Sequence, residues 1–342
     1  MMRVAIVGCG AITRRRHLPA VLAHPSVELV ALVDADEERA NALRSTYGLA
    51  CSVFRDFRSL AGRVDAVINA LPNALHAGAN VFLLDNRVHV LCEKPLATTS
   101  ADVRLCYDAA KRGGVILAPA LHWRFYQSTR LLHLLLAEAA LESPLEYDWQ
   151  YGMPFDWPTA SAFNFSREKA GGGVLFDQGI HLLDCLLSWF GPVSAFECAT
   201  DDWGSGVEAN ALLTLRHDGG YGTVRGRVRL SNTFTLKNRL VISGRASTAE
   251  ILRDAPHTVV LSRVMAGQNV RMSLGPDGSD EDQDPFLTQL QRFIEAAEST
   301  RTVEVTAADV VATIELIERC YEGAARLAEP WSDVAATREL AS

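Results

Sequence analysis

Residues 171–184 read GGGVLFDQGIHLLD, an apolar segment that carries Asp177, His181 and Asp184 directly after three glycines. Residues four apart on a helix share a face, so we expect the side chains of Asp177 and His181 to point the same way. A histidine titrates near neutral pH and can accept or return a proton, and a nearby carboxylate fixes its tautomer. The pair could therefore handle the hydroxyl proton while an alcohol is oxidised.

Two other interpretations of this pair stay open on these residues alone. In one, Asp177 is a carboxylate favoured by the dipole near the start of a helix, and His181 is a buried histidine satisfied by its neighbours. In the other, both bind a metal ion. A zinc site needs three or four ligands, and only His122 offers a further one, so we predict no metal site. We expect Asp184 to be structural.

Bulk properties restrict the class of protein. A chain of 342 residues is expected to form two domains. The net charge is −8 and no long run of Lys and Arg occurs, so we expect no nucleic-acid partner. The longest apolar stretches fall far short of the roughly 20 residues that a membrane span needs, so we expect no membrane partner either. The start MMRVAIVGCG lacks signal-peptide features. The seven cysteines are scattered without a C-x-x-C pair, which favours reduced, mostly buried thiols and a cytoplasmic location.

The first 120 residues alternate short apolar runs with helical segments. Short, nearly continuous apolar runs of this kind are typical of strands buried on both faces of a parallel sheet. This alternation predicts an α/β fold in which an N-terminal Rossmann domain, residues 1–120, is built on a doubly wound parallel sheet. The predicted strands cover residues 3–8, 29–36, 64–71, 87–94 and 115–119.

The first strand-to-helix turn reads Gly8-Cys9-Gly10-Ala11-Ile12-Thr13. It matches the dinucleotide fingerprint G-x-G-x-x-G/A except at its last position. Gly8 allows the tight turn, and Gly10 lets a pyrophosphate approach the positive end of the helix. Thr13 tells against very close helix-strand packing. Asp34 ends the second predicted strand, about where a carboxylate would bind a ribose 2′-hydroxyl, although it could instead cap the next helix.

Charge around Asp34 bears on the choice of cofactor. A carboxylate at this position repels a 2′-phosphate, and Asp36, Glu37 and Glu38 add to the negative field. We therefore predict NAD over NADP. The counterweight is the basic run 14–16, which lies close in sequence to the glycine turn and could supply an arginine for a phosphate.

Two further stretches, Leu71-Pro72-Asn73-Ala74-Leu75-His76 and Glu93-Lys94-Pro95-Leu96, carry a family resemblance. Together with GCGAIT and GGGVLFDQGIHLLDCLLSWFG, they resemble the glucose-fructose oxidoreductase / inositol dehydrogenase / rhizopine-catabolism (Gfo/Idh/MocA) family of NAD(P)-dependent oxidoreductases. The resemblance covers nearly the whole chain. It implies that residues 121–342 form a substrate-binding and oligomerisation α/β domain with a large, mainly antiparallel sheet and a closing helix at about 306–328.

The sequence supports that sheet independently. Residues 211–230 read as two strands around an Asp-Gly-Gly turn, which is typical of a hairpin. Alternation places Arg225, Arg227 and Arg229 on one face, which suits either solvent or a wet subunit contact. The resemblance implies a homodimer or homotetramer. The acidic stretch 273–284 is predicted to be a loop.

The resemblance also implies roles for individual residues. His181 is the general acid/base, Asp177 is its partner and orients the substrate, and Lys94 holds the alkoxide or ketone oxygen. The glycines at 171–173 would let the backbone pass close to the substrate and enter the helix sharply. Residues on the cofactor side are Gly8, Cys9, Gly10, Ala11, Ile12, Asp34, Leu71, Asn73, His76, Glu93 and Lys94, with His76 a helix cap in the alternative. On the substrate side, Lys94, Asp177 and His181 are joined by candidates from the segments after the domain boundary: Trp123, Arg124, Tyr151 and Asn164. The aromatic residues among them could instead be core or interface residues, and Arg124 could instead pair with an acidic side chain.

The function implied is hydride transfer between NAD(P) and a secondary alcohol or ketone of a sugar, amino sugar or cyclitol, so the partner is a small polyol. Two alternatives stay open. One is an enzyme that keeps NAD bound and cleaves glycosides through a transient oxidation. The other is a non-catalytic regulator that senses the dinucleotide. Loss of the lysine or histidine would indicate the regulator, and both residues are present.

Overall fold

The computed structural model describes residues 1–158, 162–202, 207–275, 284–299 and 301–327. The chain packs as two compact units, each assembled from three segments. Unit 1 comprises Met1–Tyr126, Pro158–Gly171 and Pro276–Glu315, and unit 2 comprises Gln127–Trp157, Gly172–Gly275 and Leu316–Ser342. Most of the predicted loop 273–284 lies outside the described residues.

Unit 1 contains a six-stranded sheet in the order β3-β2-β1-β4-β5-β6, with every neighbouring pair parallel. This confirms the predicted doubly wound sheet, although the three-residue strand β3 was not predicted. The strand order reverses between β1 and β4, and open α/β sheets bind ligands beside the carboxyl ends at such a switch point. The strands are β1 Met2–Val7, β2 Val27–Val33, β3 Ser52–Phe54, β4 Ala66–Asn69, β5 His89–Cys92 and β6 Leu117–Pro119.

Capping residues mark the ends of two helices of unit 1. Asp36 accepts a hydrogen bond from the Arg39 amide at the start of α2, and Thr99 accepts one from Asp102 at the start of α4. Gly114 ends α4 in the left-handed conformation. A π-helical turn, Thr13–His17, precedes α1. The helices are α1 Leu18–Ala23, α2 Glu37–Thr46, α3 Asn73–Asp85, α4 Ser100–Gly113, α6 Arg167–Ala170 and α8 Pro285–Ala297, and α9 Ala307–Gly323 runs on into unit 2.

Unit 2 contains a nine-stranded sheet in the order β14-β13-β12-β11-β7-β10-β9-β8-β15. Neighbouring strands are antiparallel except for β7 with β10 and β8 with β15, so the predicted mainly antiparallel sheet is confirmed. The strands are β7 Leu145–Gly152, β8 Val193–Thr200, β9 Asn210–Gly219, β10 Gly222–Ser231, β11 Arg239–Ser243, β12 Ser247–Leu252, β13 Val259–Met265, β14 Gln268–Leu274 and β15 Ala325–Arg326. Its helices are α5 Gln127–Ala137 and α7 Ile180–Phe190, the latter preceded by a π-helical turn, Leu175–Gly179.

Aromatic contacts hold the carboxyl end of α7 in unit 2. Trp189 stacks on Trp149 of β7 with ring centroids 5.6 Å apart, and Phe190 stacks on Tyr147 of the same strand, also at 5.6 Å. The predicted β9-β10 hairpin is confirmed, with Arg225 and Arg227 exposed on the face opposite its buried valines. The sheet therefore orients the helix that carries His181.

The state of the cysteines agrees with the sequence analysis. All seven cysteines are free and buried. Among the described residues, no helix is long and apolar enough to cross a membrane. The same described part of the chain holds no group of three or more His, Cys, Asp or Glu side chains placed to bind a metal ion.

Candidate functional site

The turn after β1 has the geometry that a dinucleotide requires. Gly8 has φ +94°, and a Cβ there would lie 2.4 Å from the carbonyl oxygen of Ala70, so no other residue fits. A Cβ on Gly10 would meet no atom within 4 Å, which leaves the backbone open to an approaching phosphate. The expected loosening at Thr13 is not seen. Thr13 is fully buried, and its hydroxyl donates to the Gly8 carbonyl at 2.5 Å. The turn therefore fits a pyrophosphate at the start of the helix.

Asp34 is fixed beside this turn at the carboxyl end of β2. Its Oδ2 accepts from the Cys9 amide at 2.9 Å, and its Oδ1 accepts from the Asp36 amide at 2.9 Å. The helix-cap alternative is wrong for Asp34, because Asp36 caps α2. Burial raises the pKa of the Cys9 thiol to about 12, which keeps it in the protonated form at neutral pH. Asp34 thus holds the glycine turn while its carboxylate stays at the position predicted for a ribose contact.

Arg39 is a neighbour of Asp34 that sequence analysis did not single out. Its Nη1 lies 3.1 Å from Oδ1 of Asp34, and its Nη2 lies 3.1 Å from Oδ2 of Asp36. Arg39 thus forms an ion pair with Asp34, whereas Arg16 of the basic run lies over the Phe286 ring at 5.6 Å. The only sequence signal was its place one turn into α2. Arg39 partly offsets the negative field from which we predicted NAD.

We expect Asp34→Ala to weaken NAD binding by about 10-fold or more and NADP binding less, because hydrogen bonds to charged groups are among the stronger ones. Separate titrations of the two cofactors measure the ratio of dissociation constants. Asp36→Ala is the matched control, since it removes a neighbouring carboxylate and the cap of α2 but leaves Asp34 in place. An unchanged ratio in Asp34→Ala would show that Asp34 does not read the ribose.

His76 connects the loop after β4, which carries Leu71, to the loop after β5, which carries Glu93 and Lys94. It is fully buried in α3, with Nε2 2.6 Å from the Leu71 carbonyl and Nδ1 2.7 Å from the Pro95 carbonyl. Burial lowers its pKa, against the effect of these two hydrogen bonds. No side chain caps α3, so the cap alternative for His76 is wrong. Asn73 starts α3 and donates to the Ala170 carbonyl at 2.8 Å. His76 therefore ties the loop after β4 to the loop after β5.

Glu93 is held by His17, a partner 76 residues away in sequence that was not predicted. Nε2 of His17 lies 2.7 Å from Oε1 of Glu93, and the Lys94 amide donates to Oε2 at 3.0 Å. Burial raises the pKa of Glu93, but the hydrogen bond from His17 and the charges of His17 and Lys94 outweigh it, so the pKa lies below its usual range. This buried pair fixes the backbone from which Lys94 projects.

An aromatic ring packs beside His17 of this pair. Phe286 of α8 stacks on His122 with centroids 4.4 Å apart and meets His17 edge-on at 5.5 Å. Burial lowers the pKa of His122 to about 3, so this ring stays neutral at physiological pH. Trp123 and Arg124 share the half-buried 3-10 turn His122–Phe125 with it.

Unit 2 carries the predicted proton-handling pair. Asp177 lies on the π-helical turn, is partly exposed, and accepts from Nε2 of Gln178 at 3.1 Å. His181 is 2% exposed and is the second residue of α7. The helical path from Asp177 to His181 is unbroken, so the two stay on neighbouring positions of one helix. Asp184 is 1% exposed, in keeping with a structural role.

Protein packing accounts for two of the three glycines before this helix. A Cβ on Gly172 would lie 2.0 Å from the Tyr321 hydroxyl, and one on Gly173 would lie 1.9 Å from the Glu208 carbonyl. Gly171 ends α6 with φ +89°. These contacts within the protein by themselves require glycine at 172 and 173. The close approach of the substrate and the sharp entry to the helix stay predictions.

The remaining predicted substrate residues lie on separate elements. Tyr151 is in β7 of unit 2, where its hydroxyl accepts from Nε of Arg253 at 3.2 Å. Asn164 is in the 3-10 turn Ala162–Phe165 of unit 1. Unit 1 also holds all predicted cofactor residues, Trp123 and Arg124, whereas Asp177 and His181 belong to unit 2.

The chain belongs to the Gfo/Idh/MocA oxidoreductase family. The family model described as an oxidoreductase family with an NAD-binding Rossmann fold matches residues 2–121, and the model of the GFO/IDH/MocA C-terminal domain matches residues 129–250. This confirms the resemblance that the motifs indicated.

Some curated relatives are similar to this chain over about half of its length, and others over nearly all of it. The D-glucoside 3-dehydrogenase of Escherichia coli is 33% identical over 188 residues, which cover 54% of this chain and 53% of that protein. The chain spans about half the length of such curated relatives. The D-xylose 1-dehydrogenase (NADP(+)) 2 of Haloferax volcanii is 26% identical over 329 residues, covering 94% of this chain and 97% of that protein.

Solved structures establish the fold. Levoglucosan dehydrogenase in complex with NADH and L-sorbose has a TM-score of 0.83 and 18% identity, covering 94% of this chain and 96% of its own. A 3-ketoreductase from Actinomadura kijaniata in complex with NADP and TDP-benzene has a TM-score of 0.80 and 20% identity, covering 95% and 98%.

Proposed function

We propose that this protein is an NAD(P)-dependent oxidoreductase acting on a CH–OH group, or on the corresponding ketone, of a sugar, amino sugar or cyclitol. The observation that carries the proposal is the turn at Gly8 and Gly10, tight against Ala70 on one side and open on the other, at the switch point of a parallel sheet. Membership of an oxidoreductase family and the presence of Lys94, Asp177 and His181 support it.

The nicotinamide cofactor would supply hydride transfer, which protein side chains cannot perform. The turn from Gly8 to Ile12 would hold its pyrophosphate and Asp34 its ribose hydroxyl. Leu71, Asn73 and Glu93 would shape the nicotinamide side, and His76 would support the loops that carry them. Because Glu93 is already held by His17, its contribution to binding would come through the loop as well as through its own carboxylate.

The chain's own residues would manage the proton. His181 takes the hydroxyl proton during oxidation and returns it during reduction, and Asp177 orients the imidazole and the substrate. Lys94 donates to the same oxygen and stabilises the charge that develops there. Trp123, Arg124, Tyr151 and Asn164 would supply an apolar face and hydrogen bonds to a polyol. Relatives named for glucosides, xylose and levoglucosan support this substrate class.

NAD is the cofactor that we propose, on the strength of Asp34 at the end of β2. Relatives point to both cofactors, since NADH is bound in one similar structure and NADP in another. Arg39 beside Asp34 is the residue through which NADP would be tolerated.

Assembly, location and domain division stay predictions. We propose a homodimer or homotetramer in which the polar sheet face that carries Arg225 and Arg227 forms the subunit contact. We also propose a cytoplasmic location. We also propose residues 1–120 as the dinucleotide-binding domain and 121–342 as the substrate-binding domain. Segments 158–171 and 276–315 belong to unit 1 by their packing, although they lie within the proposed substrate-binding domain. The proposed functional domains therefore do not coincide with the two compact units.

A panel screen tests the proposed function. The purified protein is incubated with NAD or NADP and a set of sugars, amino sugars and cyclitols, and reduced cofactor is followed by absorbance. Net reduction with an exchangeable cofactor supports the dehydrogenase. Retained cofactor with glycoside cleavage and no net reduction would favour the glycoside-cleaving alternative, and binding without any turnover would favour the regulator.

A further inference from the structure

We propose that Glu208 is a positioning residue for the reaction, because its buried carboxylate fixes the start of the helix that carries Asp177 and His181. The inference rests on the proposed roles of these two residues. Glu208 precedes β9 and lies 35 residues after Gly173, and no motif in the sequence singled it out.

Both oxygens of the Glu208 carboxylate are engaged within unit 2. Oε2 accepts from the Gly173 amide at 2.9 Å, and Oε1 accepts from the Leu175 amide at 2.8 Å and from the Tyr321 hydroxyl at 2.9 Å. The first amides of a helix have no partner within it, and an anionic acceptor satisfies them more strongly than a neutral one. The side chain therefore does for this helix what a capping residue does, from a distant part of the chain.

The main chain of Glu208 completes the attachment. Its carbonyl accepts from the Val174 amide at 2.9 Å, so residues 173, 174 and 175 are all bound to this one residue. The Asp177 amide in turn donates to the Gly173 carbonyl at 2.9 Å. A displacement of Gly173 would thus pass directly to Asp177 and along the helix to His181.

Glu208 and Tyr321 pack directly against the backbone of Gly173 and Gly172. A Cβ on Gly173 would lie 1.9 Å from the Glu208 carbonyl oxygen, and one on Gly172 would lie 2.0 Å from the Tyr321 hydroxyl. Glu208 is 1% exposed. Burial raises the pKa of this carboxyl, against the hydrogen bonds from Leu175, Tyr321 and Gly173. Burial of a charge works against folding, so loss of the charge should harm alignment more than stability.

Glu208→Gln is the decisive variant, because it keeps the shape but leaves one acceptor oxygen for three donors. We expect the Gly173 or Leu175 amide to exchange with deuterium about 10-fold faster, as expected when a hydrogen bond to a charged group is lost. We expect kcat to fall by about 10-fold to 100-fold, the cost of a small misplacement of reacting groups. The cofactor dissociation constant should stay within about twofold, because the proposed cofactor residues belong to unit 1.

Tyr321→Phe is the matched control, since it removes one donor and keeps the carboxylate and both amide bonds. It should change amide exchange and kcat much less than Glu208→Gln. Glu208→Asp, which keeps the charge but is too short to reach both amides, replaces Glu208→Gln if the glutamine variant does not fold. We expect the kcat of Glu208→Asp to lie below that of wild type and, where Glu208→Gln folds, above that of Glu208→Gln.

Hydrogen exchange is measured on the full chain by mass spectrometry, and kcat is measured with the sugar that the panel screen identifies. Faster exchange at 173–175 together with reduced kcat supports the positioning role. Unchanged exchange, or faster exchange with unchanged kcat, overturns it. His181→Ala is measured in parallel. If that variant also keeps full kcat, the proposed function of the helix has failed, and the exchange data alone then report whether Glu208 fixes the helix.

Discussion

We expect His181→Ala to lower kcat by about 10²-fold to 10⁴-fold, the contribution of a positioned general acid/base. The cofactor dissociation constant should be nearly unchanged, because the phosphate turn and Asp34 belong to unit 1 and His181 to unit 2. Steady-state kinetics with the identified sugar and a fluorescence titration of the cofactor provide the two values. Loss of kcat without loss of cofactor affinity is the expected pattern.

His217 offers a matched control for this prediction. It is also a buried histidine of unit 2, and its ring contacts the Gly191 carbonyl at 2.9 Å and the Tyr147 hydroxyl at 3.1 Å. His217→Asn should lower stability and leave kcat within a few-fold of wild type. Full turnover in His181→Ala would remove His181 from the mechanism, and an equal loss in both variants would indicate a general structural effect.

We expect His17→Ala to destabilise unit 1 by about 3–5 kcal/mol, because it leaves the Glu93 carboxylate buried without its hydrogen-bonding partner. The side chains of the pair are only 2% and 9% exposed, so water cannot replace the missing partner. Denaturant unfolding at neutral pH measures the loss. The double variant His17→Ala/Glu93→Gln also removes the buried carboxylate charge and should be more stable than His17→Ala alone. A loss that the second substitution does not relieve would contradict the explanation that the unpartnered Glu93 carboxylate causes it.

The same pair predicts a pH dependence. The pKa of Glu93 is lower in the folded protein than its ordinary value, so the pair stabilises the fold above the unfolded pKa of about 4.3. This contribution disappears as pH falls through the lower folded pKa. The difference in unfolding free energy between wild type and His17→Ala should therefore be largest near neutral pH and shrink on acidification. A difference that is constant with pH would mean that the charge of Glu93 does not matter.

Local patterns were sufficient for much of the fold. Short apolar runs predicted five of the six parallel strands, and the Asp-Gly-Gly turn predicted the β9-β10 hairpin. Strand β3 was missed because SVF is too short to show periodicity. The prediction of looser packing at Thr13 was wrong. The fingerprint considers only the size of the side chain at this position, whereas the Thr13 hydroxyl donates a hydrogen bond to the Gly8 carbonyl.

Tertiary partners set the limit of the sequence analysis. Local motifs indicated Gly8, Asp34 and the positions of Lys94, Asp177 and His181. They could not indicate that His17 contacts Glu93 or that Glu208 contacts Gly173. His17 lies outside the Glu93-Lys94-Pro95 motif, and Glu208 lies outside the segment 171–184. Such pairs depend on how strands and helices are stacked, which only the folded chain specifies.

Transfer of deuterium tests the central claim most directly. The sugar identified by the panel screen is deuterated at the carbon that bears the reacting hydroxyl, and the reduced cofactor is analysed by mass spectrometry after turnover. The proposed function predicts that the label appears in the cofactor. Label that is lost to water, or that stays in the sugar product while the cofactor forms unlabelled, would contradict hydride transfer from that carbon.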